Sequence, residues 1–262
     1  MIDIGINFTD KAFSKDLDDC IAHAHQAGVT KMIVTGTNLP CSRKASELTQ
    51  QYPDSLYATA GVHPHHAKDW KPGDEDTLRT LASSKSIVAI GEAGLDFNRD
   101  FSPRPQQEAV FQRQIQLAIE LGLPLFLHER DAHSRQRVIL EEYADRISNS
   151  VIHCFTGDKT ALFNYLDLGC HIGITGWICD ERRGKELQDL VKEIPSDRLM
   201  IETDGPYLLP RSLKPKPKSR RNEPKYLPHI AKTIAELRNV PVETLAEQVT
   251  ENTQRFFNLP SE

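Results

Sequence analysis

The chain has 262 residues and a formal charge of −5, from 32 Lys plus Arg against 37 Asp plus Glu. Hydrophobic residues make up 39% and charged residues 26%, the balance of a globular chain and not of a long disordered one. No apolar run reaches the roughly 18 residues that a membrane span needs, and the start lacks the basic region of a secretory signal, so a cytoplasmic protein without a membrane partner is expected.

Short apolar or β-branched runs recur at 2–7, 31–35, 56–62, 87–92, 125–128, 151–154, 171–175 and 199–202, with helical periodicity between them. In the fourth gap Phe111, Ile115, Ala118 and Ile119 fall on one helical stripe. Pro103 and Pro105 open that helix, and Gly122 followed by Pro124 ends it. Gly28 and Gly169 read as similar stops. Eight strands alternating with helices at this length predict a TIM-type (β/α)8 barrel forming one domain over 1–262. An open doubly wound sheet is the competitor, but no G-x-G-x-x-G follows the first strand. Five cysteines, odd in number and without a CxxC pair, indicate neither a disulfide framework nor a cysteine zinc site.

A barrel demands its chemistry at the C-terminal ends of the strands. Six of the eight ends carry polar residues: Asn7 on the first, His63, His65 and His66 on the third, Glu92 and Asp96 on the fourth, His128 and Arg130 on the fifth, His153 on the sixth, and Glu202 and Asp204 on the eighth. A lone histidine at a strand end is more often a satisfied core residue than a ligand. Two histidines and two carboxylates at equivalent ends instead make a divalent-metal site, with imidazole nitrogen and carboxylate oxygen as donors. His23 and His25 lie two apart on a helix and face different ways, His171 opens a strand at the stability end, and His229 sits on a late helix. His63 and His65 straddle a proline and could point to one side, as ligands, phosphate binders or proton donors.

Charge is unevenly placed. The segment 211–225 holds seven basic residues against the single acid Glu223, a net of +6, which leaves −11 for the remainder. A solvated loop is the ordinary reading of such a run, and a local phosphate site is the functional one.

With these residues in place the chain resembles the TatD family of metal-dependent deoxyribonucleases, a branch of the amidohydrolase-like barrels, over essentially its whole length. The resemblance rests on TAGVHPHH at 59–66, IGEAGLDF at 90–97, PLFLHERDA at 124–132, IHCFTG at 152–157, IGITGWICDERRG at 172–184, IETDGPYLLPR at 201–211 and SRRNEP at 219–224. It implies metal-dependent hydrolysis of phosphodiester bonds in DNA. Position by position, Glu92, His128, His153 and Asp204 match the family's metal-binding residues, His63 and His65 its substrate-site histidines, and Asn222 its phosphate-side loop. Most relatives begin with an HxH pair that holds one of two metals; here those positions are Gly5 and Asn7, as in a bacterial branch of the family. That departure argues against a permanently occupied two-metal centre. Gly205 stands where relatives often carry Ala or Ser.

The expected chemistry follows. One metal, Mg2+ in the first instance with Mn2+ or Zn2+ as alternatives, is held by Glu92, His128, His153 and Asp204; Glu92, Asp204 and His63 carry the catalysis. His65, Arg130, Glu202, Arg211, Arg220, Arg221 and Asn222 are expected on the substrate. A narrow barrel rim suits a chain end, so the expectation is a monomeric exonuclease of single-stranded DNA, with RNA left open. The family supplies the 3′-to-5′ polarity, and such an activity implies DNA repair or nucleic-acid turnover. Two rivals stay open: an amide or ester hydrolase on the same barrel, for instance one removing an aminoacyl group from tRNA, and a nucleic-acid-binding protein whose metal site has decayed.

Overall fold

The computed structural model describes residues 1–260. In chain order its elements are β1 (Ile2–Ile6), α1 (Leu17–Gln26), β2 (Lys31–Val34), α2 (Leu39–Gln51), β3 (Leu56–Ala60), α3 (Asp74–Leu81), β4 (Ile87–Asp96), α4 (Arg104–Leu121), β5 (Leu125–Arg130), α5 (His133–Glu141), β6 (Ser150–Ile152), α6 (Lys159–Asp167), β7 (His171–Ile174), α7 (Lys185–Leu190), β8 (Leu199–Ile201), α8 (Leu227–Arg238) and α9 (Val242–Phe257). Among the described residues the eight strands form one sheet in the order β1 to β8. Their pairing is parallel, and Ile6 bridges in parallel to Gly205, just past β8. This is the predicted (β/α)8 class. Parallel strands covered by helices read as near-continuous apolar runs, and every residue of β1 and of β4 is buried.

The strand limits differ from the sequence reading in one informative way. Most strands stop before the polar residue once counted at their end: Asn7, Thr35, His153, Thr175 and Glu202 lie just outside the ladders. β4 and β5 instead run longer, because Gly94, Leu95 and Asp96 go on pairing with His128, Glu129 and Arg130. The helix signals hold: α4 starts after Pro103, buries Phe111, Ile115 and Ala118, and ends at Gly122 with φ 65°.

The chain forms two compact units. The first comprises Met1–Val34, Cys154–Lys159 and the chain from Ile172 onward; the second comprises Thr35–His153 and Thr160–His171. Inside the first unit, Asp3 of β1 is fully buried and accepts the backbone N–H and the hydroxyl of Thr203, together with Gly5 N–H. Burial pushes this carboxyl from an ordinary 3.8 up to about 7, against the pull of those hydrogen bonds. A carboxyl whose pKa rises on folding binds its proton more tightly in the native state. Its stabilising contribution is therefore complete below pH 4 and disappears as pH rises through 7. Asp3→Asn is expected to flatten stability between pH 4 and 7 and to stabilise the protein above pH 7 by up to about 4 kcal/mol. Urea unfolding at pH 5 and pH 8 checks this, and an unchanged difference between the two pH values would contradict it.

Candidate metal centre

The second unit gathers the sequence-predicted histidines around one carboxylate. β4 and β5 pair Ile90 with Leu125 and then Ala93 with Leu127, so three residues of β4 oppose two of β5. Glu92 lies within this bulge, a device that re-aims a strand side chain. Its backbone N–H donates to Gly36 O at 2.7 Å, and Gly91 before it has φ 151°. A Cβ at Gly91 would fall on the backbone oxygen of Phe126, so the close approach of β4 to β5 needs glycine here.

Three imidazoles converge on one oxygen. Glu92 Oε1 lies 2.9 Å from His153 Nε2, 3.0 Å from His128 Nδ1 and 3.3 Å from His63 Nε2. The other nitrogen of His128 reaches Asp96 Oδ2 at 3.1 Å, and the same oxygen takes His65 Nε2 at 2.8 Å. Glu92 and Asp96 thus hold four histidines between them. His153 also stacks on Phe126, which fixes its ring plane.

The electrostatics follow from this packing. Burial alone would raise the Glu92 carboxyl, but the surrounding imidazoles outweigh it and hold Glu92 well below the usual carboxylate range. Asp96 is likewise lowered against its burial, by hydrogen bonds from His128, His65 and the Arg99 N–H. His128, with a carboxylate at each ring nitrogen, is raised although burial opposes its charge. Burial takes His63 down to about 4, so it is neutral at pH 7. Its Nδ1 accepts His65 N–H at 3.1 Å, which leaves the proton on Nε2, facing Glu92.

His63, Glu92 and His128 offer ligand atoms close enough to share one ion. Imidazole nitrogen with carboxylate oxygen is a donor set that divalent metals take. The residues present fit a metal, and His63 belongs with the ligand candidates as much as His153 does.

Asp96 is the residue that strand-end reasoning noted without giving it a role; it stands four residues after Glu92, at the last position of β4. Three buried glutamines gave no sequence signal at all. Gln114 clamps Val62, the residue before His63, by accepting its N–H at 2.8 Å and donating to its carbonyl at 2.9 Å. Gln107 makes the same two bonds to Asp96, and Gln136 accepts Leu95 N–H. Buried glutamines on α4 and α5 therefore hold the backbone that carries the site.

The remaining predicted residues lie elsewhere. Arg130, at the end of β5, is exposed. In the first unit Asp204 has φ 54° and accepts from Asn7 Nδ2 at 3.0 Å. Asn7 also donates to Gly205 O at 3.1 Å, so this departure from the family's histidine pair orients the β8 end. Glu202 is fully buried and accepts the Cys154 N–H. Asn222, also fully buried, donates to Thr203 O, and Arg221 is paired with Asp16 and Glu223. Arg211 pairs with Glu181 at 3.0 Å, and Arg220 is exposed.

Comparison with known proteins places this arrangement. The family model "TatD related DNase" matches residues 2–258. A Pantoea ananatis protein named 3′-5′ ssDNA/RNA exonuclease TatD is 50% identical over 259 residues, covering 99% of this chain and 100% of that one. A Salmonella typhimurium protein of the same name is 50% identical, covering 99% of each chain. Among solved structures, the TatD homolog YjjV from Escherichia coli matches with a TM-score of 0.89 and 29% identity, over 99% of this chain and 98% of that one. The chain belongs to the TatD-related DNase family.

Proposed function

We propose that the protein is a divalent-metal-dependent 3′-to-5′ exonuclease that hydrolyses single-stranded DNA, and RNA as a second substrate. The observation that carries this reading is the convergence of His63, His128 and His153 on the buried Glu92 oxygen. It occurs in a chain half identical, end to end, to bacterial proteins named for that activity. Such relatives act in DNA repair or nucleic-acid turnover on this reading, and the single family match across 2–258 supports one domain.

Glu92, His128 and His153 are the proposed metal ligands, joined by His63. Asp204, from the Thr203-Asp204-Gly205-Pro206 signature, is assigned as a further ligand or as the base for the attacking water. A bound divalent ion would polarise a phosphate oxygen and lower the pKa of a water. Mg2+ is the ion of first choice, because the two first-strand imidazoles that would favour zinc are Gly5 and Asn7 here. Neutral His63 donates from Nε2 to developing negative charge. His65, held by Asp96 and more exposed, is placed to protonate the leaving 3′-oxygen. Arg130, Arg211 and Arg220 take backbone phosphates, while Glu202, Arg221 and Asn222 hold the loops beside them. Five free cysteines and the absence of a long apolar helix among the described residues support a cytosolic monomer.

Asp96→Asn is expected to weaken metal binding about 10–100-fold by loosening His128 and His65, the usual cost of removing a group that orients a ligand. Calorimetric titration with Mn2+ checks it, and unchanged affinity would remove Asp96 from the site. For the activity itself, a 5′-labelled single strand should shorten from its 3′ end while a closed single-stranded circle survives. Cutting of the circle would contradict exonuclease action.

A further inference from the structure

The loop after β7 carries a cluster that the metal centre does not use. Asp180 is buried, with 4% of its side chain exposed, yet Arg182, Arg183 and Arg211 all turn to it. Arg182 Nη2 lies 3.3 Å and Arg183 Nε 3.1 Å from its Oδ2, and Arg211 Nε lies 3.7 Å from its Oδ1. The three guanidinium side chains remain 58%, 57% and 43% exposed. Arg183 stacks on the half-buried Trp177 ring, 4.4 Å from its centroid. Asp180 and Glu181 supply two negative charges against three positive ones, so the surface is cationic in an otherwise acidic chain.

The loop is built to hold this arrangement. Asp180 Oδ1 accepts the backbone N–H of Arg182 and of Arg183, at 2.9 and 3.3 Å. Gly184 N–H donates to Asp180 O at 2.8 Å, and Gln188 Nε2 donates to Ile178 O at 2.8 Å. A buried carboxylate that fixes guanidinium groups from one side leaves their outer N–H groups pre-organised for another anion. Arg183 stacked on Trp177 presents a flat cationic face, the kind on which unpaired bases stack.

We propose that Trp177, Arg182, Arg183 and Arg211 form a binding track for single-stranded nucleic acid. Phosphates lie on Arg182 and Arg211, one base stacks on the Trp177–Arg183 pair, and Asp180 positions the guanidinium groups. The inference rests on the exonuclease reading for its ligand and adds a place for the strand outside the metal centre. Loops after β7 and β8 are on the side where a barrel of this kind builds its site.

The test separates binding from turnover. The chain has two tryptophans, so Trp70→Phe leaves Trp177 as the sole indole fluorophore. With EDTA present to stop hydrolysis, a 12-nucleotide oligothymidylate should quench Trp177 emission. Adding Arg182→Ala and Arg183→Ala should weaken binding about tenfold and lower the slope of log Kd against log salt by about 1.4, or 0.7 per lost phosphate contact. The double variant should keep its fold, because Asp180 binds the loop through backbone N–H groups that alanine retains. Absence of quenching, or an unchanged affinity and salt slope in the double variant, would overturn the track. Metal-dependent cleavage that persists in that case leaves the nuclease reading standing, whereas intact quenching without cleavage by the wild type sinks only the latter.

Discussion

Glutamine in place of Glu92 is expected to lower kcat on single-stranded DNA by about 10²–10³-fold or more, the scale of losing a group that stabilises transition-state charge. The change removes the anionic oxygen on which His63, His128 and His153 converge, while keeping the side-chain volume. Its effect should therefore fall on metal affinity and turnover together, with the far-ultraviolet circular dichroism unchanged. Removing the charge also frees the imidazoles: His128 loses one of the two carboxylates that raise its pKa. The metal-free variant should accordingly titrate that histidine at lower pH than the wild type, readable by NMR. A variant with wild-type kcat would show that the chemistry lies elsewhere.

Gly91→Ala is expected to destabilise the protein by about 3–5 kcal/mol, from a strained backbone at φ 151° plus a clash with the Phe126 carbonyl oxygen. Gly122→Ala provides the contrast. That helix-ending glycine has φ 65° but open space around its Cα, so alanine should cost only about 1 kcal/mol. Urea midpoints of the two variants measure the difference. Similar losses at both positions would mean that the bulge beside Glu92 is not tightly packed.

The fold was legible because its signals are periodic and local. Alternating apolar runs marked eight strands, and Pro103, Pro105 and Gly122 marked the limits of α4. Glu92, His128 and His153 were legible for a different reason: a parallel barrel leaves polar side chains at strand ends only where something satisfies them. Asp96 was harder to assign, since pairing with β5 continues to that residue and nothing in its spacing says that it faces histidines. Gln107, Gln114 and Gln136 were invisible, because a glutamine on a helix reads as surface until the backbone groups it binds are seen. The basic run from 211 to 225 misled in part. Arg221 and Asn222 look like phosphate ligands by composition, yet both are committed to neighbours within the protein. Charge counting finds a cationic segment but not which of its groups are already paired. Asn7 shows the converse: read as a missing histidine, it turns out to hold Asp204.

The most direct test strips the protein with chelator and supplies end-labelled single-stranded DNA with Mg2+, Mn2+ or Zn2+ added back separately. The account predicts a ladder shortening from the 3′ end, restored by Mg2+ and absent with Glu92→Gln under every ion. Cleavage that survives complete metal removal, or that Glu92→Gln retains in full, would contradict a metal-dependent nuclease centred on Glu92.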